Sequence, residues 1–375
     1  MRFTPSTPLS FGLELELQII DTATGRLAPR AHELHGLLAP SPTGRHFALE
    51  ATLATIELNS GVHHAARSMN DEVRALTAQA LDAAAAHGCT LRGGGTQVAQ
   101  FWNERRLAPG ERPRVLNERY GFLPKRFSTY GMHVHVGMPD GDTAVRVAQV
   151  LQAHVPLFIA ASAASPFQQL SDTGFAAARP LESLVYPHGG PMPALADWAA
   201  LCAEVETWRA TGLVHGLKDL YWDVRPKPEF GTVEVRVFDT PLSVRKAVAL
   251  AAFTRGVAAL ALDGQLTLDG TPASVTQRVG RFFACRDGMK AVLHDPCTGR
   301  ERPARDWLED LLARMQARGL CPEDAPWRRD LAVQLDEAED HARLRALWDG
   351  MDADLPLEDA LPANSAAVSA RLLAD

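Results

Sequence analysis

The feature that most constrains this chain is a two-residue alternation of apolar and polar side chains that recurs in four short segments. Leu13, Leu15, Leu17 and Ile19 alternate with Gly12, Glu14, Glu16 and Gln18. Ile56 and Leu58 alternate with Thr55, Glu57 and Asn59; Met132, Val134 and Val136 alternate with His133 and His135; Val233, Val235 and Val237 alternate with Glu234 and Arg236. Successive side chains of a strand point to opposite faces, so each segment reads as a strand with one oily and one polar face. Such strands need cover on one side only, which fits an antiparallel or mixed sheet with helices on its apolar face. The expected class is α+β.

Between these segments the spacing turns helical. Ser68 is placed to cap a helix running to about His87, with Asp71 and Glu72 in its first turn, Gly88 past its end, and Val73, Leu76, Ala80 and Ala84 on one face. A second helix is expected over about Thr143 to Ala163, bent near Pro156. A third follows Ser243 and ends near Gly264. Further helices are expected over about Arg305 to Arg318 and Arg328 to Trp348, and turns cluster between Pro187 and Pro193. There is no internal repeat. The reading is a single catalytic domain over residues 1–375, with 265–375 mainly helical.

The polar faces carry the chemistry. Glu14 and Glu16 point the same way, as do His133 and His135, and Glu234 and Arg236. One explanation is that this face simply meets water. Against it, the residues are mostly Glu and His on all four strands, not the Lys, Thr and Ser mixture of an ordinary wet face. If the four strands are neighbours, Glu14, Glu16, Glu57 and Glu234 converge. Two like charges about 4 Å apart repel by about 4 kcal/mol at an effective dielectric of about 20, so such a cluster needs protons or cations. Carboxylate oxygens suit Mg²⁺ or Mn²⁺, and Mg²⁺ commonly bridges to substrate phosphates.

Other signatures are absent or weak. The chain has no GxxxxGK[ST], HExxH or GxSxG. Gly93-Gly94-Gly95-Thr96 reads as a tight turn or, less well, a phosphate cradle, and the two histidines alone make a poor zinc site. Lys and Arg number 38 against 45 Asp and Glu, a net charge of −7 that gives no support for nucleic-acid binding. Five cysteines without a CxxC pair argue against a disulfide framework and for a cytoplasmic setting. The N-terminus lacks the apolar run of a signal peptide, and Val145 to Ala164 is interrupted by Arg146, Gln149, Gln152, His154 and Pro156, so no membrane span is expected.

These same segments carry a family resemblance. Phe11-Gly12-Leu13-Glu14-Leu15-Glu16-Leu17-Gln18 resembles the opening of the glutamate–cysteine ligase type 2 family, the carboxylate–amine ligases. Glu50 and Glu57, followed by Leu58-Asn59-Ser60-Gly61-Val62, are similar to its second acidic motif, and Tyr130-Gly131-Met132-His133-Val134-His135-Val136-Gly137 to its histidine motif. Asp219 to Pro228, continuing through Phe230 to Val237, resembles a further stretch, and the order and spacing agree over roughly residues 10 to 262.

The resemblance implies a glutamine-synthetase-like fold, an antiparallel sheet forming a half-barrel over the active site, and an ATP-dependent ligase that joins glutamate to an amine such as cysteine. It implies Mg²⁺ or Mn²⁺ held by Glu14, Glu16, Glu50, Glu57, His133 and Glu234, with His135 supporting the sheet. Arg236 and Arg225 would meet ATP, Arg179 the substrate, and Arg236, Glu57 and Glu234 the reacting groups. A homodimer is compatible with it. Leu15 replaces the middle acid of the family's opening run, Gln277 to Met289 fits the pattern poorly, and Leu355 to Asp375 diverges. A metal-dependent hydrolase using the same face, or a nucleotide- or metabolite-binding protein without turnover, are the alternatives.

Overall fold

A computed structural model of the chain describes residues 1–108, 111–126, 129–268, 273–352 and 354–374. The alternating segments become strands of one sheet: β1 (Phe11–Asp21), β2 (Phe47–Leu49), β3 (Thr55–Asn59), β4 (Cys89–Arg92), β5 (Gly131–Gly137), β6 (Val224–Lys227) and β7 (Thr232–Asp239). Their order is β6–β7–β5–β1–β3–β2, with β4 pairing the far end of β1, and every pairing is antiparallel. The four strands read from alternation are thus consecutive neighbours, and the class is α+β as expected.

The apolar face is closed by helices. Leu13, Leu15, Leu17, Ile56, Leu58, Met132, Val134, Val136, Val233 and Val235 are all at most 2 % exposed. They lie in a continuous core with residues of helices α1 (Ala66–Ala85), α2 (Gly141–Ala153), α3 (Val155–Ser162) and α4 (Val244–Leu262). Helix α4 is buried almost throughout, because it packs on β1 and β5 and is itself covered by α1, α2 and the helices Ala304–Ala317 and Ala325–Glu337. Ser243 caps it, accepting from the Lys246 amide.

Three local expectations shift. Helix α1 starts at Ala66, and its cap comes from far away: Asp324 accepts from the Ala66 amide at 2.7 Å, while Ser68 turns back to the Ala65 carbonyl. Arg255 on α4 pairs with the same buried Asp324 at 2.6 Å, so removing the arginine would strand a buried carboxylate at a cost of about 3–5 kcal/mol. The bend expected near Pro156 falls at His154, where α2 and α3 meet at 58°. Pro156 instead sits in the first turn of α3, where its missing N–H costs nothing. The helix expected over about Arg328 to Trp348 is two helices, Ala325–Glu337 and Asp340–Asp349. Among the described residues no single helix is long and apolar enough to cross a membrane, and no disulfide joins the cysteines.

Candidate active site

Pairing register decides which polar side chains meet. Across β1–β3, Glu16 stands opposite Glu57. Across β1–β5, Glu14 stands opposite His133, and across β5–β7, His135 stands opposite Glu234. Arg225 on β6 faces Glu234. Glu50 lies just past the end of β2, which pairs beside Glu57. All of Glu14, Glu16, Glu50, Glu57, His133, Arg179, Arg225, Glu234 and Arg236 line one cleft of about 530 Å³ over the polar face of the sheet. The wet-face explanation therefore fails for Glu234, which is fully buried, and for His133, which is 6 % exposed.

Among the described residues two groups have the donor geometry to hold a cation, with ligand atoms within 4.8 Å of one another: Glu16, Glu50 and Glu57, and Glu14, His135 and Glu234. The first offers oxygen donors only, the set hard ions such as Mg²⁺ and Mn²⁺ take. Burial, and then the Glu50 charge, push Glu16 up to about 7, and the same two causes raise Glu57 well above the usual carboxylate range. The protein supplies this group with too little positive charge of its own.

The second group is already compensated. Burial opposes the charge on Glu14, but hydrogen bonds with His133 (2.7 Å) and His135 (3.1 Å) overcome it and hold the carboxyl well below its usual range. Burial likewise opposes ionisation of Glu234, and the Arg236 and Arg225 guanidiniums overcome it. Arg225 donates to Glu234 at 2.7 Å, and Arg236 also donates to Glu234. Burial and the nearby Arg236 press His133 down to about 4. His135, read from sequence as a support, belongs to this second group. Its Nδ1 meets Thr232 Oγ1 at 3.0 Å, which fixes the ring and turns Nε2 toward the carboxylates.

Facing the acidic floor is a cationic wall. Arg236 sits where the β5–β7 register shifts between Val235 and Phe238, and its amide donates to Asp223 O instead. The bulge sets Phe238 opposite Met132 in the core, and Val237, 3 % exposed, stays in the core while bordering the cleft. Arg179 crosses the end of β5 at Gly131, donating to the Val237 and Arg236 carbonyls at 3.3 and 3.4 Å. Arg225 spends Nε on Glu234 and Nη1 on the carbonyls of Leu217, Lys218 and Leu220, so it anchors that loop as well as lining the cleft. Lys218, Lys227, Arg105, Arg281, Tyr186 and Tyr221 complete the walls. Of these, Tyr221 and Lys227 fall in the Asp219 to Pro228 stretch singled out from sequence; Arg105 and Tyr186 come from irregular segments that carry no period. Arg281 lies in the poorly fitting Gln277 to Met289 segment and pairs with Asp223 at 2.5 Å. The Gly93–Thr96 turn is not a phosphate cradle: the Gly94 and Gly95 amides donate to Thr240 O and Ala164 O.

The family model for glutamate–cysteine ligase family 2 matches residues 10–365. The chain belongs to the glutamate–cysteine ligase family 2. Among its relatives, the protein named "Putative glutamate--cysteine ligase 2" of Methylibium petroleiphilum is 38% identical over 343 residues, covering 92% of this chain and 93% of the relative. One of the same name from Bordetella avium is 41% identical over 319 residues, covering 84% of this chain and 77% of the relative. The fold is shared with solved structures: a Francisella tularensis glutamate–cysteine ligase, crystallised in complex with AMP, matches with a TM-score of 0.68 at 14% identity, over 100% of this chain and 91% of the other. A bifunctional glutathione synthetase from Pasteurella multocida matches with a TM-score of 0.66 at 14% identity, over 97% and 52%. The matched residues 10–365 include every strand whose polar face builds the cleft.

Proposed function

We propose that the protein is an ATP-dependent carboxylate–amine ligase that activates the side-chain carboxylate of glutamate as an acyl phosphate and passes it to an amine such as cysteine, releasing ADP and phosphate. The observation that carries this reading is the opposition, in one cleft, of a carboxylate floor too poor in positive charge and a wall of arginines. A metal-bound polyphosphate fits between the two.

Glu16, Glu50 and Glu57 would hold a divalent ion, with Glu14, His135 and Glu234 as a second group and His133 beside it. Bound there, the ion would neutralise the carboxylates and tie phosphate oxygens to the floor. Arg236 would neutralise charge on the transferring phosphoryl group, and Arg225 would keep Glu234 ionised and in place. Arg179 would hold the acid substrate. A carboxylate does not react with an amine at neutral pH, so the side chains act mainly by aligning the reactants and stabilising charge. A structural relative crystallised with AMP is in keeping with a nucleotide in such a cleft.

The test is a phosphate-release screen with ATP, Mg²⁺, glutamate and a panel of amines. ADP formed only when acid and amine are both present is the expected result. Cleavage of substrate without ATP would turn the reading to a metal-dependent hydrolase; ATP binding without turnover for any pair would turn it to a binding protein.

A further inference from the structure

A second cavity of about 310 Å³ adjoins the cleft, and Thr52 and Arg105 line both. Its size is at the lower end of ligand-sized pockets. Its charged residues are mostly cationic: Arg26, Arg105 and Arg106 against Glu104. Glu104 accepts from the Phe101 amide, and Arg26 is tethered to Ala99 O at 3.2 Å. Arg105 spends Nη1 on Pro124 O at 2.7 Å, but its buried Nε has no hydrogen-bond partner among the described residues. Tyr130, 2 % exposed, also lines the pocket, and its phenol lies in the field of both Arg105 and Arg92. Arg92 is 2 % exposed as well, and its Nη1 has no partner among the described residues. Burial presses both arginines down to about 10, so both remain charged at neutral pH. Buried guanidinium groups are ordinarily paired and hydrogen-bonded, because stranding such donors costs more than a neutral pair returns.

We propose that this second cavity is a binding site for a small oxyanion, a carboxylate or a phosphate, held by Arg105, Arg106 and Arg26, and separate from the metal-binding floor. The planar fork of arginine suits both oxyanions. The anion could belong to a substrate that reaches past Arg105 from the cleft, or be a free ion. The inference stands apart from the ligase reading, since its first readout is binding and not turnover.

The experiment titrates the full chain with inorganic phosphate and with succinate, at constant ionic strength, by calorimetry. Saturable binding is expected, weakened at least tenfold by Arg105→Met and by Arg106→Met. Arg209→Met, which removes an exposed charge paired with Glu206, should leave it unchanged. Repeating the titration with saturating glutamate separates the sources: displacement assigns the pocket to a substrate carboxylate, and undisturbed binding assigns it to a free anion. No saturable binding, wild-type affinity in both pocket variants, or an equal loss in Arg209→Met overturns the proposal. Should Arg105→Met not fold, Arg106→Met alone decides, because the Arg106 side chain is exposed.

Discussion

Glu16 and Glu57 stand directly opposite each other across the β1–β3 pairing, and burial together with Glu50 raises the pKa of both. Like charges in register are destabilising unless a cation is shared between them. Glu57→Gln removes one charge and keeps the shape. Without divalent ions the variant should melt no lower than the wild type. Adding Mg²⁺ or Mn²⁺ should raise the wild-type melting temperature and support turnover, while the variant gains little stability and loses most activity. Melting curves and turnover with and without chelator check this; equal cation stabilisation of both proteins would remove Glu57 from the metal site.

Much of this site could be read from sequence because a strand's period is local: Glu14, Glu16, Glu57, His133, Glu234 and Arg236 follow from alternation alone. What alternation could not supply is which strands are neighbours, since pairing joins residues as distant as Glu14 and His133, or His135 and Glu234. Long-range contacts also moved the cap of α1 from Ser68 to Asp324. The bulge after Val235 broke the alternation and set Phe238 opposite Met132. Arg105, Tyr186 and Arg281 reach the cleft from segments whose placement depends on the finished fold. The family resemblance supplied Glu50, Arg179 and Arg225, which no strand period would have marked.

Gly131 is where Arg179 passes: a Cβ there would lie 1.9 Å from Arg179 Nη2. Gly131→Ala should therefore displace the guanidinium without deleting it. Losing one hydrogen bond to a charged group costs about 1.5–3 kcal/mol, so the KM for the acid substrate should rise roughly tenfold or more. If the effect runs through Arg179, adding Gly131→Ala to Arg179→Ala should change little further. Additive losses in the double variant would show that the glycine matters for the strand and not for the arginine.

Asp239 is fully buried, and burial raises its carboxyl to about 6, against the pull of Arg179, Ser165 and the Ala164 amide. Its native pKa lies above the unfolded value, so the folded protein binds the proton more tightly. Its favourable contribution is present below about pH 4 and is lost as pH rises through about 6. Asp239→Asn should remove this slope. The wild-type stability minus that of the variant should fall by about 2 kcal/mol between pH 4 and 6 and level off only above about pH 7. Urea unfolding of both proteins across that range measures it; a gap that does not vary with pH would contradict an Asp239 that titrates there.

Arg236 donates to Glu234 two residues away on the same strand, and its side chain is 22 % exposed to the cleft. Two roles are open to it: a fixed partner of Glu234, or a cation that also meets the transferring phosphoryl group. Arg236→Lys separates them. Lysine can still neutralise Glu234 but cannot reproduce the planar fork that serves two acceptors at once. If Arg236 only pairs with Glu234, turnover should survive almost intact. If it stabilises charge that develops during phosphoryl transfer, kcat should fall about a hundredfold or more, the scale of roughly 2.7–4 kcal/mol found for one such donor. The KM for ATP should move less than kcat, because the contact strengthens only as charge builds in the transition state. The expected result is the large kcat loss with melting behaviour close to wild type, and a wild-type kcat in Arg236→Lys would return the residue to a purely structural role beside Glu234.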